Sequence, residues 1–309
     1  MQTTVPSYHH DLGNGQFLEV FAIDPQLTAS DLEKIVSLND GKPNSRMSQD
    51  ASLVTSVDSF DDLRINILPE SYSVPQQLES YRKAVEAQSN AKGRYNGKVA
   101  IVKGGVRIPL QLIQAGFYDF LATKSDAIPA ELDQSYPKER TISQLFNQWG
   151  LSEDRRARFL GFSYLLLTDD GNQLTLVQRA KGMAVASDCI SVPGSTPNPD
   201  FSAEGFSFST YSIAHITEEI EEEFKLGPSE FAIRKINLFE DRKNTPFCNI
   251  QIKTSVNTGE IAKRIYGEKQ AIKEHPVIYG IPRTALRPFM NRFEVYAPIA
   301  PVIRLAAHL

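Results

Sequence analysis

The feature that most constrains this chain is a helical segment at residues 211–226, in which an apolar stripe runs beside a dense run of glutamates. Ile213, Ile216, Ile220 and Phe224 recur at spacings of three and four, so that face must lie against a core. At about 100° per residue, Glu219, Glu222 and Glu223 share one flank of the stripe, and Glu218 and Glu221 fall on the other. Like charges three and four apart destabilise a helix by roughly 0.2–0.5 kcal/mol per pair, and no lysine stands four residues beyond Glu219 or Glu222 to offset them. A bound cation removes that penalty. Carboxylate oxygens without thiolate or imidazole suit Mg²⁺ or Mn²⁺, and the chemistry such an ion supports is phosphoryl or pyrophosphoryl transfer. Taken alone, the run describes a solvated face better than a metal site, because most charge runs are solvated. The order of elements around the helix decides between the two.

Ahead of the helix, residues 161–167 form a buried strand candidate. Asp169-Asp170-Gly171-Asn172 is a turn, and residues 173–178 return as a second strand, which together make a hairpin signature. A short strand at residues 190–192 leads into a loop rich in Pro, Gly and Ser. Gly227-Pro228 closes the acidic helix. Strands resume at residues 233–239 and 247–256, a helical piece spans 259–266, a strand covers 275–281, and a short helix occupies 282–289.

The first half is a mixture of α and β. It has strand candidates at residues 17–23 and 98–102 and a helical stretch at 75–91, and Gly104-Gly105 reads as a hairpin turn. Residues 142–159 read as a helix interrupted at Trp149-Gly150, with a densely charged end that suits a junction. The expected division is therefore an N-terminal domain at residues 1–150 and a second domain at 151–309, with the boundary near Leu151.

A chain of 309 residues with 41% hydrophobic and 23% charged side chains can fill two ordinary cores. Its net charge of −4 comes without a lysine or arginine cluster, so the composition gives no broad footprint for nucleic acid or an anionic membrane. The N-terminus lacks a basic stretch followed by an apolar run, and no segment approaches about 20 apolar residues, which makes a cytoplasmic protein the expectation. Cys189 and Cys248 each sit in apolar or strand-like runs and read as buried free thiols.

Strand, Val192-Pro193-Gly194 loop, acidic helix and further strands follow one another here, and this order resembles the Nudix superfamily. Its box runs G-x5-E-x7-R-E-U-x-E-E-x-G-U, where U is a bulky aliphatic residue. Glu218-Glu219-Ile220-Glu221-Glu222-Glu223-Phe224-Lys225-Leu226 matches the E-U-x-E-E core and the final U. Glu218 stands where the family has arginine and Lys225 where it has glycine, and the loop after Gly194 is about ten residues longer. Within the superfamily the chain is similar, over residues 95–285, to the UDP-glucose and UDP-galactose pyrophosphatases. Three stretches carry this: Tyr95-Asn96-Gly97-Lys98, Phe117-Tyr118-Asp119-Phe120-Leu121-Ala122-Thr123 and Val192-Pro193-Gly194-Ser195-Thr196-Pro197-Asn198-Pro199.

The resemblance implies an α/β (α+β) protein, a Nudix α/β/α sandwich over a mixed sheet preceded by a mixed α+β N-terminal domain. It also implies a Mg²⁺-dependent hydrolase, with Mn²⁺ as a substitute, that cleaves a small nucleoside diphosphate sugar to a nucleoside monophosphate and a sugar 1-phosphate. A Nudix-fold binding module without turnover, or a hydrolase of another diphosphate such as ADP-ribose, stand as alternatives. By the same resemblance Glu219, Glu222 and Glu223 are metal ligands, Glu222, Glu223 and Glu274 act in catalysis, and Arg179, Lys181, Gly194 and Arg242 bind substrate. Arg179 suits a bidentate phosphate contact at a strand end, and Gly194 has a backbone role, letting the loop approach the start of the helix. His275 reads as structural, and His215 as lying outside the glutamate cluster. Oligomeric state is not legible.

Overall fold

In the computed structural model, residues 4–42, 51–91, 96–124, 141–181, 188–241 and 245–307 are described. The chain opens with the antiparallel pair β1 (Ser7–Gly13) and β2 (Gln16–Ala22), then α1 (Ala29–Asn39), β3 (Ala51–Val57) and β4 (Ile65–Ser71). After them come α2 (Glu79–Ala91), β5 (Lys98–Val102), β6 (Leu110–Gly116), α3 (Phe117–Lys124) and α4 (Ile142–Gln148). The second half runs β7 (Gly161–Thr168), β8 (Gln173–Gln178), β9 (Ile190–Ser191), β10 (Gly194–Ser195), α5 (Phe208–Phe224), β11 (Phe231–Asp241) and β12 (Pro246–Thr254). It ends with α6 (Thr258–Ile265), α7 (Lys269–Glu274), β13 (Val277–Pro282), α8 (Leu286–Arg292) and α9 (Ala300–Ala307).

The fold is mixed α and β. Among the described residues, ten strands join one sheet in the order β1-β2-β13-β8-β7-β12-β11-β3, with β9 on β8 and β10 on β7. The β7–β12 pair is parallel and its neighbours are antiparallel, which makes the sheet mixed. A separate three-stranded sheet orders β4-β6-β5, and its antiparallel β5–β6 pair closes around Gly104 and Gly105, both at positive φ. The expected turn at 104–105 and the hairpin of β7 with β8 are both present.

Both faces of the large sheet are covered, and the strands show it by their alternation. On β7, Tyr164 and Leu166 join one core with Ile216, Ile220 and Phe224 of α5 and with Ile261 and Ile265 of α6. Leu165, between them, joins the opposite core with Leu32 and Val36 of α1, Phe289 of α8 and Ile303 of α9. The result is helix, sheet, helix. Ala100, Val102, Leu110 and Leu112 of the small sheet belong to the same core as α5.

The boundary expected near Leu151 falls between α4 and β7. Hydrogen bonding crosses it, because β2 pairs with β13 and β3 pairs with β11. Two local expectations are corrected. The acidic helix starts three residues earlier, where Ser207 accepts a hydrogen bond from the Thr210 amide and so caps it. Ile213 is 46% exposed and does not belong to the buried stripe, which runs at strict fours through Phe208, Ser212, Ile216, Ile220 and Phe224. A spacing of four advances the stripe by about 40° per step, and Ile213 lies off that track. Cys189 is half-buried, Cys248 is buried, and both are free thiols. Among the described residues no helix is long and apolar enough to cross a membrane.

Candidate metal-binding and catalytic site

Helix α5 positions the acidic groups. Its stripe is pinned in the core, so each glutamate's depth follows from its angle to that stripe. Glu223 falls inside the buried sector and is 5% exposed, Glu219 lies on its flank and is half-buried, and Glu222 is exposed about 100° round from Glu223. Glu222 borders an open depression of about 610 Å³ along the outer side of α5, with Glu218, Glu221 and Lys225.

The end of α7 brings a fourth carboxylate. The Ala180 amide donates to the Glu274 carbonyl at 2.9 Å, and Val277 of β13 pairs with Gln178 of β8, so the strand end carrying Arg179 lies beside Glu274 and His275. His275 Nε2 lies 3.2 Å from Glu223 Oε2, with both side chains buried. Among the described residues, Glu223, Glu274 and His275 form a group whose candidate ligand atoms all lie within 4.8 Å of one another. The Glu274 carboxylate accepts a 2.6 Å hydrogen bond from Gln270 Nε2 through Oε1.

Electrostatics bind these groups into one site. Burial, then the charges of Glu223, Glu274 and Glu222, push the Glu219 carboxyl up to about 8. Burial raises Glu223 to about 7 against the opposing pull of Arg179. Burial and the neighbouring Glu223 raise Glu274 as well. Burial and the Arg179 charge hold His275 neutral, far below the ordinary imidazole range. Arg179 itself is 8% exposed, and burial lowers it while Glu223 and Glu274 sustain its charge.

A second polar chain adjoins Glu219. The Tyr164 hydroxyl lies 2.5 Å from Ser195 Oγ, which is 2.8 Å from His215 Nε2, and that nitrogen is 3.8 Å from Glu219 Oε1. His215 therefore borders the cluster rather than lying outside it, as i,i+4 spacing on a helix requires. Gly194 holds this loop close: a Cβ there would stand 2.5 Å from the Phe162 carbonyl oxygen. Its close approach is to β7, with which it pairs at Ser163, and not to the start of α5. Lys181 is exposed and its ammonium lies 3.9 Å from the Asp188 carboxylate. Arg242 lies outside the described residues.

The residues present fit a divalent cation. Glu219, Glu223 and Glu274 count three carboxylates against the one guanidinium of Arg179, whose charge acts on Glu223 and Glu274, which leaves two negative charges when all are ionised. His275 Nε2 faces Glu223 within this group, and a neutral imidazole nitrogen is a cation donor. From sequence, His275 was legible only as the neighbour of Glu274. Its place against Glu223, 52 residues away, is set by the pairing of β13 with β8.

No family model matches the chain, and no curated protein matches it. Solved structures similar to it include a MutT protein from Methanosarcina mazei Go1, at 14% identity over 48% of this chain and 92% of that one, with a TM-score of 0.32. The NUDIX domain of Shewanella oneidensis NrtR, complexed with ADP ribose, is 14% identical over 50% of this chain and 88% of its own, with a TM-score of 0.31. A protein from Deinococcus radiodurans is 11% identical over 47% and 81%, with a TM-score of 0.33.

Proposed function

We propose that the chain is a Nudix-type pyrophosphohydrolase that uses a divalent cation, Mg²⁺ or Mn²⁺, to cleave a nucleoside diphosphate sugar, with a UDP-hexose as the leading substrate. The observation that carries this reading is the convergence of Glu223 from α5 with Glu274 and His275 at the end of α7, beside the strand end that carries the buried Arg179. Carboxylates so placed repel one another until a cation joins them, and a diphosphate is the ligand that would complete such an ion's shell.

Glu219, Glu222 and Glu223 would hold the ion in this reading, with Glu222 exposed at the border of the open depression along α5. When bound, the ion neutralises charge on the bridging oxygens and activates water. Arg179, fixed at the end of β8, supplies a fork of donors for a phosphate. Glu274, with Oε1 taken by Gln270, accepts the proton of the attacking water through its other oxygen. The products are a nucleoside monophosphate and a sugar 1-phosphate.

Incubation with a panel of nucleotide sugars and dinucleotides plus Mg²⁺ tests this directly, with monophosphate release as the readout. The wild type is expected to turn over UDP-hexoses, and Glu222→Gln to lose turnover while keeping its fold. Tight binding of one member without product from any would point instead to a binding module, and unchanged turnover in Glu222→Gln would remove that residue from the site.

A further inference from the structure

We propose that His275 is a nitrogen ligand of this metal centre, beside the Glu223 carboxylate, so that the site selects a divalent transition ion of the Mn²⁺ or Co²⁺ class over Mg²⁺. Two atoms bound to one ion at about 2.1 Å and subtending roughly 90–109° are ~3.0–3.4 Å apart. His275 Nε2 and Glu223 Oε2 stand 3.2 Å apart, and the candidate donor atoms of Glu274 complete a group within 4.8 Å. That spread closes onto one ion with small side-chain adjustments.

The second observation is the setting of the ring. His275 is 1% exposed, and Nε2 is the nitrogen turned toward Glu223, while Nδ1 is buried without a hydrogen-bond partner among the described residues. The ring also stacks on Phe224, with centroids 6.4 Å apart and planes 9° apart, which fixes its orientation beside Glu223. A neutral, oriented imidazole is the form that binds a metal. An all-oxygen set accepts Mg²⁺ readily, whereas a nitrogen donor moves preference toward later, softer ions.

The inference rests on the proposed hydrolase only for what the ion does; binding itself is tested separately. The full-length chain is stripped with chelator and loaded with Mn²⁺, and electron spin-echo modulation is recorded with unlabelled and ¹⁵N-histidine protein. Histidine nitrogen coupling is expected in the wild type and in His215→Ala, and is expected to vanish in His275→Gln. Mn²⁺ is expected to bind at least about tenfold more tightly than Mg²⁺. Bound Mn²⁺ without histidine coupling in the wild type overturns the proposal, as does coupling lost only in His215→Ala or equal affinity for the two ions. The wild-type spectrum decides even where His275→Gln fails to fold. Hydrolysis with Mg²⁺ but no nitrogen coupling sinks the ligand and spares the hydrolase. Nitrogen-coordinated Mn²⁺ without product from any diphosphate does the reverse.

Discussion

Lys225 ends helix α5 in the left-handed region, at φ +53°, in the position where the resembled motif carries glycine. A residue with a Cβ pays roughly 1 kcal/mol for that conformation, which glycine does not. Lys225→Gly is therefore expected to raise unfolding free energy by about 0.5–1 kcal/mol in chemical denaturation. Gly194 is the converse case. Its Cβ would meet the Phe162 carbonyl, and backbone paired to β7 cannot yield, so Gly194→Ala is expected to cost about 1–3 kcal/mol. Asp40 supplies a residue-scale pH dependence. Hydrogen bonds from Arg292 hold its carboxyl below the ordinary 3.8, against the raising effect of burial. A depressed carboxylate adds stability that is complete above the unfolded value and disappears as pH falls through the folded one. The penalty of Asp40→Asn is accordingly expected at pH 6 and to shrink below about pH 4, a trend that parallel denaturation series would show.

At the scale of elements, the sequence was most legible where periodicity and turn chemistry agree. The β7–β8 hairpin follows from an apolar run, an Asp-Asp-Gly-Asn turn and a second run, and the turn residues Asp169, Asp170 and Gly171 all take positive φ. The acidic helix was legible as an element, but its buried face was misread by including Ile213, because hydrophobic identity stood in for angle while Ser212 holds the buried position. The short helix α7 falls in the stretch between residue 266 and the strand at 275 that reads as loop, since six residues carry too little periodicity to declare themselves. The glutamates were legible as a charge pattern. Their unequal depths were not, because depth depends on where the stripe points. Truncation of that stripe tests the link from packing to site. Ile220→Ala is expected to cost about 2–5 kcal/mol and to weaken divalent-ion binding measured by calorimetry, because it loosens the turn that carries Glu219 and Glu223.

At the scale of the whole molecule, the site depends on pairings between distant parts of the sequence. β13 is held between β8 and β2, and its register brings Glu274 and His275 to Arg179 and Glu223. Such non-local pairing leaves little local trace, which is why His275 could not be read from its neighbours alone. The first 57 residues supply β1 and β2 at one end of the large sheet and β3 at the other. A chain beginning at residue 151 would expose the edges of β13 and β11, and is expected to aggregate or to be cleaved rapidly by protease relative to the full chain. A monomeric, protease-resistant fragment would show that these strands are dispensable. The central claim, that the α5 carboxylates and Glu274 form a cation-dependent diphosphate-cleaving centre, is tested most directly by ³¹P NMR of a UDP-hexose mixed with wild type or Glu223→Gln and a divalent ion. The account predicts conversion to UMP and sugar 1-phosphate by the wild type and a loss of at least about 100-fold in the variant. Equal conversion by both proteins, or none by a correctly folded, metal-loaded wild type, would contradict it.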